Sequence, residues 1–163
     1  MIPEYKTILY ATDLSPNAAQ AFRHAIGLAR CYDGAVHILH VLPEEEQAVV
    51  NWVATVMGED RLAELELEHK EELAAEIRKR LEAFAAQELG DRPEDTARVA
   101  AVEIRYGDPA EEIVAAADRI DADLIVLGSH GKGRLRTVLL GSVTERVLRR
   151  SRRPVLISRL MGR

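Results

Sequence analysis

Three glycines near the C-terminal end have the spacing of a phosphate cradle. Gly128 closes the apolar run Leu124-Ile125-Val126-Leu127, Gly131 follows after Ser129-His130, and nine residues later Gly141-Ser142 open a helix-like segment, Val143-Thr144-Glu145-Arg146-Val147-Leu148. A glycine lets the backbone approach a ligand closely. The free N–H groups and dipole at a helix start favour an anion. The stretch between, Lys132-Gly133-Arg134-Leu135-Arg136-Thr137, carries three cations and no acid. A plain strand-to-helix connection with a Gly-Ser cap is the bland alternative, but such connections are usually short. The Ser142 and Thr144 hydroxyls could bond the phosphates or a metal bound to them.

Two better-known phosphate motifs do not fit. A P-loop needs Lys and then Ser or Thr after its last glycine, whereas Arg134-Leu135 follow Gly133. The dinucleotide fingerprint needs a third glycine that Arg134-Leu135-Arg136 do not supply.

The elements that must position this cradle are legible in the rest of the chain. Thr7-Ile8-Leu9-Tyr10-Ala11 reads as a strand ending at Thr12-Asp13. Ser15-Pro16 looks like a helix cap with proline at the first helical position, and Ala18, Phe22, Ala25, Ile26 and Ala29 form one helical face up to Arg30. Ala35 to Leu42 is a second strand, stopped by Pro43. The stretch from Glu44 to Gly58, with Trp52, Val53, Val56 and Met57, reads as a lid or a short helix.

A long helix follows from Glu59 to Leu89, with Leu62, Leu65, His69, Leu73, Ile77, Leu81 and Phe84 on one stripe; Gly90 ends it and Pro93 lies just beyond. Val99 to Tyr106 alternates like an edge strand. Asp108-Pro109-Ala110-Glu111 reads as a capped helix start with an acid reaching back. Leu124 to Leu127, a helix from about Ser142 to Arg150, and the strand Pro154-Val155-Leu156-Ile157 complete the order.

Five strands alternating with four helical segments predict one α/β domain over residues 1–163 with a parallel sheet. Ligands of such sheets sit beyond the strand C-termini, where the strand order reverses. The richest strand ends are Thr12-Asp13 and Gly128. If those strands are neighbours, phosphates lie on the Gly128 and Gly141 side, and Asp13 accepts from a ribose or an adenine amino group. The alternative for Asp13 is an Asx-type turn near Ser15.

Composition narrows the class. The 163 residues, 47% hydrophobic and 30% charged with net charge −5, suit a globular domain with a substantial core. No apolar run is long enough for a membrane span, the start Met1-Ile2-Pro3-Glu4 is no signal peptide, and the single Cys31 reads as a packed or idle thiol in a cytoplasmic setting. The middle, Glu44 to Glu94, is acid-rich, and Lys132 to Arg163 is basic, with Arg149, Arg150, Arg152 and Arg153 read as a solvated helix end. The lack of interleaved aromatics argues against nucleic acid. His37 and His40 read as strand residues, and no His or carboxylate pair stands at metal-ligand spacing.

These residues together resemble the universal stress protein family. Gly128-x-x-Gly131, nine residues, Gly141-Ser142 matches the family's ATP-binding motif without a gap. Ala11-Thr12-Asp13 followed by Ser15, Gly107 to Ile113, Asp123 to Gly131, and Arg153-Pro154-Val155-Leu156-Ile157 are similar to other family segments. The resemblance implies a five-stranded parallel sheet of order 3-2-1-4-5 with helices on both faces. It implies an ATP site in which Ala11, Thr12 and Asp13 meet the adenosine end and the Val41 backbone lines the adenine slot. Gly128, Gly131, Gly141, Ser142, Val143 and, less centrally, Thr144 hold the ribose-triphosphate; Leu127, Ser129 and His130, the last at a variable place in the motif, complete the nucleotide-binding set. Magnesium or manganese bridging the phosphates, and a homodimer through the fifth strand, are further implications. An exposed apolar edge strand gains from pairing on physical grounds as well.

The function so implied is a nucleotide-dependent regulatory dimer of the stress response. Phosphoryl transfer needs an aligned nucleophile and charge stabilisation; no general base stands out and no residue is assigned a catalytic role. Slow hydrolysis or autophosphorylation on Ser142 or Thr144 stays open. One alternative is a dimeric interaction module that binds no nucleotide. Another is an adenylyl-transferase or pyrophosphatase enzyme on a related scaffold, disfavoured because Thr12-Asp13-Leu14-Ser15-Pro16 carries neither signature. A phosphoacceptor receiver is disfavoured because Asp13 stands alone and Arg159 follows the last strand.

Overall fold

In a computed structural model the described residues are 1–15, 18–44, 47–129 and 140–159. The order is β1 (Thr7–Ala11), α1 (Ala18–Tyr32), β2 (Ala35–Leu42), α2 (Gln47–Met57), α3 (Glu59–Leu89), α4 (Pro93–Arg98), β3 (Val99–Tyr106), α5 (Pro109–Arg119), β4 (Leu124–Gly128), α6 (Ser142–Arg150) and β5 (Val155–Ser158). The strands form one parallel sheet of order β3-β2-β1-β4-β5. β1 and β4 are therefore neighbours, with Tyr10 opposite Val126.

Alternation along each strand feeds two cores. Ile8, Tyr10, Val36, Ile38, Leu124 and Val126 face α1 and α3, meeting Phe22, Ala25, Ile77 and Leu81. Leu9, Leu39, Ile125 and Leu127 face α5 and α6, meeting Ala110, Ile113, Ala117 and Val147. Helices thus cover both faces of a sheet whose inner strands β1 and β4 are buried except at one end residue each, as parallel sheets require.

Local expectations are corrected at several places. Among the described residues there are six helices: the ambiguous stretch forms the short helix α2, and Pro93, which lies just beyond the Gly90 stop as expected, also starts the additional helix α4. His69 leaves the α3 stripe for solvent, and Lys70 turns inward, its ammonium 5.2 Å from the Tyr106 ring centroid. Aliphatic length decides this, because Lys buries its stem against a ring while keeping its head wet.

Other corrections concern caps and charges. Ser15 offers its carbonyl to the Ala18 N–H, while its buried hydroxyl finds no partner among the described residues, so it makes no side-chain cap there; Pro16 lies outside the described residues. At α5 the Asp108 carboxylate accepts from the Glu111 N–H at 3.0 Å. The Glu111 carboxylate does not close the box but takes Arg150 at 3.1 Å. The C-terminal arginines are not a merely solvated end. Arg149 pairs with Glu145, and Arg153 reaches Asp121 and the Ala122 carbonyl. Cys31 is exposed rather than packed.

The two sheet edges differ. On the β3 side, the Arg78 guanidinium donates to the Val102 carbonyl oxygen. On the β5 side, Val155, Leu156 and Ile157 are half-buried, and among the described residues no side chain caps the outer edge.

Candidate functional site

The C-terminal rim of the sheet gathers the residues singled out in the sequence. β1 leaves the ladder at Ala11, opposite Leu39, and the Thr12 N–H still reaches the Leu39 carbonyl at 2.9 Å. Beyond it two side chains fold the backbone back on itself. Thr12 Oγ1 accepts from the Leu14 N–H at 3.1 Å, and Asp13 Oδ1 accepts from the Ser15 N–H at 2.9 Å. Leu14 sits at φ 65°, a left-handed conformation that disfavours a branched side chain by about 1–2 kcal/mol. The nested turn holds it there. The Asx turn expected as an alternative for Asp13 is therefore present, made by one carboxylate oxygen.

Val41 stands two residues beyond Leu39 on β2. In a parallel ladder the N–H and C=O of one residue point to the same neighbour and alternate along the strand. Leu42 faces β3, where its carbonyl takes the Gly107 N–H at 2.9 Å. Val41 therefore turns its peptide groups toward the space that β1 has already left.

A contact that the sequence reading missed lies beneath this space. His40, buried on β2, places Nδ1 2.7 Å from the Thr12 carbonyl oxygen. With a carbonyl as acceptor, Nδ1 must carry the proton and donate. A polar residue inside an otherwise apolar strand was the available signal, since a buried imidazole needs a partner.

On the other side of the switch point, the long excursion starts and ends at one place. The Ser129 N–H donates to the Ser158 carbonyl at 2.9 Å, and the Ser129 carbonyl accepts from the Gly141 N–H at 2.7 Å. Thr144 Oγ1 donates to the Gly128 carbonyl at 2.9 Å. Gly128 and the start of α6 are thus joined directly. Gly141 is the N-cap of α6 and supplies no side-chain cap. The first intrahelical bond runs from Glu145 N–H to the Gly141 carbonyl at 3.0 Å. The amides of Ser142, Val143 and Thr144 consequently have no acceptor within the helix. They sit where the helix dipole leaves a partial positive charge of about half an electron.

α6 is aimed by an ion pair. Arg146 binds the Asp108 carboxylate through both terminal nitrogens, at 2.8 and 2.9 Å. The guanidinium and the Glu111 N–H hold the Asp108 carboxyl below the usual carboxylate range. Because Asp108 caps α5, this pair sets α6 against the turn that follows β3.

The rim therefore brings together Ala11, Thr12, Asp13, Val41, Leu127, Gly128, Ser129, Gly141, Ser142, Val143 and Thr144. Thr144 is buried with its hydroxyl committed to Gly128, whereas Ser142 is exposed. His130 and Gly131, with the cations Lys132, Arg134 and Arg136, lie outside the described residues. Among the described residues, no three His, Cys, Asp or Glu side chains converge to hold a metal ion, and no helix is long and apolar enough to cross a membrane.

Residues 4–159 match the universal stress protein family. The chain belongs to that family. Universal stress protein MJ0577 of Methanocaldococcus jannaschii is 35% identical over 159 residues, 94% of each chain. A solved structure of MJ0577 superposes with a TM-score of 0.76 at 33% identity, covering 99% of this chain and all of that one. A universal stress protein solved in complex with cAMP covers 96% of this chain and 98% of its own at 22% identity and TM-score 0.57. One from Archaeoglobus fulgidus, in complex with dAMP, covers 95% and 98% at 23% identity and TM-score 0.51. These last two share the fold with this universal stress protein.

Proposed function

We propose that this universal stress protein binds ATP across the C-terminal rim, acting as a nucleotide-dependent regulatory dimer in the cytoplasm. The observation that carries the reading is the pairing of Gly128 with the start of α6. Three helix amides without internal acceptors, at an N-terminus that no side chain caps among the described residues, are held beside a glycine strand end. That favours an anion. The Asp13 carboxylate and the Val41 peptide lie on the same rim, one strand and two strands away, as an adenosine would require. Adenine nucleotides in complexes of two proteins of this fold support the ligand class.

Magnesium or manganese would arrive on the phosphates, with the exposed Ser142 hydroxyl available to it; among the described residues no three His, Cys, Asp or Glu side chains form a cage for it. The reading includes at most slow ATP hydrolysis or autophosphorylation, with Ser142 or Thr144 as the acceptor. Pairing of two copies through β5 is supported by the contrast between the edges. Arg78 guards the β3 edge, whereas β5 offers an apolar edge that no side chain caps among the described residues.

The test is mass spectrometry of small molecules released from freshly purified, denatured protein, with calorimetric titration of ATP and magnesium into wild type, Gly128→Val and Gly141→Val. Near-stoichiometric adenine nucleotide in wild type, and no binding by the folded variants, is expected. Folded variants that bind like wild type would move the site elsewhere. No nucleotide and no titration signal would reduce the function to a dimeric interaction module.

A further inference from the structure

α3 is longer than the sheet it packs on. Its Arg78 side chain reaches the Val102 carbonyl, and its Lys70 carbonyl accepts the Tyr106 hydroxyl at 3.0 Å. α3 therefore runs antiparallel to β3 and is level with the strand's end, Tyr106, at Lys70. At a rise of about 1.5 Å per residue, the turns from Glu59 to His69 stand about 16 Å above the C-terminal rim. α2 packs on this raised segment through the tight Gly58 junction, where φ is 89°. The result is a helical hairpin projecting from the sheet.

The hairpin leaves a large apolar face to solvent. Trp52 is 69% exposed, Val56 66%, Met57 46% and, on α3, Leu67 60%. Trp52 and Val56 are one turn apart on the same side of α2. α2 itself contains no charged residue, yet its flanks are strongly acidic: from Glu44 through Glu68 there are eight acids and one base, Arg61. Arg61 is already near Glu64, at 3.7 Å. Exposed apolar surface of this kind, framed by one sign of charge, marks an interaction site.

We propose that this hairpin is the docking face for a partner protein that presents a cationic amphipathic helix. The apolar stripe of such a helix would lie on Trp52, Val56 and Met57, and its Lys and Arg residues would meet the acidic flanks. The other occupants fit less well. Two hairpins facing each other would oppose acid to acid. A copy paired at β5 would sit at the far edge of the sheet from β3 and α3, leaving the hairpin bare. An anionic lipid surface would be repelled by the same acids. The proposal is independent of nucleotide binding.

Trp52 is the only tryptophan in the chain, so its emission reports on this face directly. Full-length protein is titrated with a Leu/Lys peptide patterned as an amphipathic helix, and with a scrambled peptide of identical composition. The expected result is a blue shift of Trp52 with the patterned peptide alone. The apparent Kd should rise at least about tenfold in Val56→Glu, and likewise in the Glu59→Lys, Glu64→Lys double variant, both checked for folding by circular dichroism. The proposal fails if no shift occurs or if the scrambled peptide binds equally. It also fails if Val56→Glu and the double variant bind like wild type. A shift produced instead by raising the protein concentration alone would assign the face to a second copy, and one produced by lipid vesicles would assign it to a membrane.

Discussion

The Thr144 hydroxyl donates to the carbonyl oxygen of Gly128 across sixteen positions of sequence, at 2.9 Å. It ties the last residue of β4 to the first turn of α6, and so decides where the free amides of that turn lie. Thr144 is 7% exposed, so nothing from solvent replaces the bond when it is lost. Thr144→Val keeps the shape and leaves the Gly128 carbonyl without this donor, at a cost of about 1–3 kcal/mol. Chemical denaturation should show that loss, and calorimetry should show weaker ATP binding; Thr144→Ser should retain most of both.

Asp13 has two roles that substitution can separate. Its Oδ1 holds the turn through the Ser15 N–H, and its charge is proposed to serve the adenosine end. Asp13→Asn retains an acceptor for the turn and removes the charge; Asp13→Ala removes both. Both should weaken ATP binding, the alanine variant by about 1–3 kcal/mol. Only the alanine variant should also lower the thermal midpoint. Equal affinities for wild type and Asp13→Asn would confine Asp13 to the turn.

His40 positions the same turn from below through the Thr12 carbonyl. His40→Asn can place an amide N–H near the position of Nδ1, whereas His40→Leu cannot donate. The leucine variant should lose stability by about 1–3 kcal/mol, the penalty of stranding a buried acceptor. It should also lose nucleotide affinity, and the asparagine variant should recover much of both in the same denaturation and calorimetry assays.

Arg78 covers an acceptor on the β3 edge. Arg78→Met keeps the aliphatic stem and exposes the Val102 carbonyl to other chains. Sedimentation velocity should show larger assemblies than wild type, with little change in helix content. An unchanged distribution would mean that α3 itself, rather than the guanidinium, protects the edge.

Acid should open the helical layers first. Arg30 donates to both oxygens of the buried Asp95, joining α1 to α4, and Arg146 does the same for Asp108. Each partner guanidinium holds the carboxyl below its ordinary value. A carboxyl lowered in the folded state contributes stability that is fully present above its unfolded pKa of about 3.9 and is lost as pH falls through the folded value. Stability should therefore be level in this respect near neutrality and fall below about pH 4. Asp95→Asn and Asp108→Asn should each be less stable than wild type at pH 7 and show a shallower acid decline in denaturant titrations across pH.

Much of the architecture was determined by short windows of sequence. The largely apolar run Ala35–Leu42 before Pro43, the alternation in Val99–Tyr106, the apolar stripe of Glu59–Leu89 and the Asp108-Pro109 start are properties of a few neighbouring residues, and those elements formed where their patterns lay. Windows erred where competing local readings were close. His69 and Lys70 both fall near one stripe, and only the Tyr106 ring decides between them. The Gly90 stop with Pro93 beyond it was legible, but not that Pro93 also begins α4. The glycine spacing is what points to the proposed phosphate side, because a cradle needs a bare backbone on either side of an excursion. Sequence alone left the strand order to a resemblance. Tertiary structure decided it by pairing β1 with β4, and the same pairing made Asp13 and Gly128 parts of one rim. It also decided that Thr144 faces Gly128, His40 faces Thr12 and Arg146 faces Asp108. Each contact spans sixteen to thirty-eight positions. Periodicity shows which side of an element is buried. Which distant carbonyl or carboxylate waits there is set by sheet register and helix packing, which no local window contains.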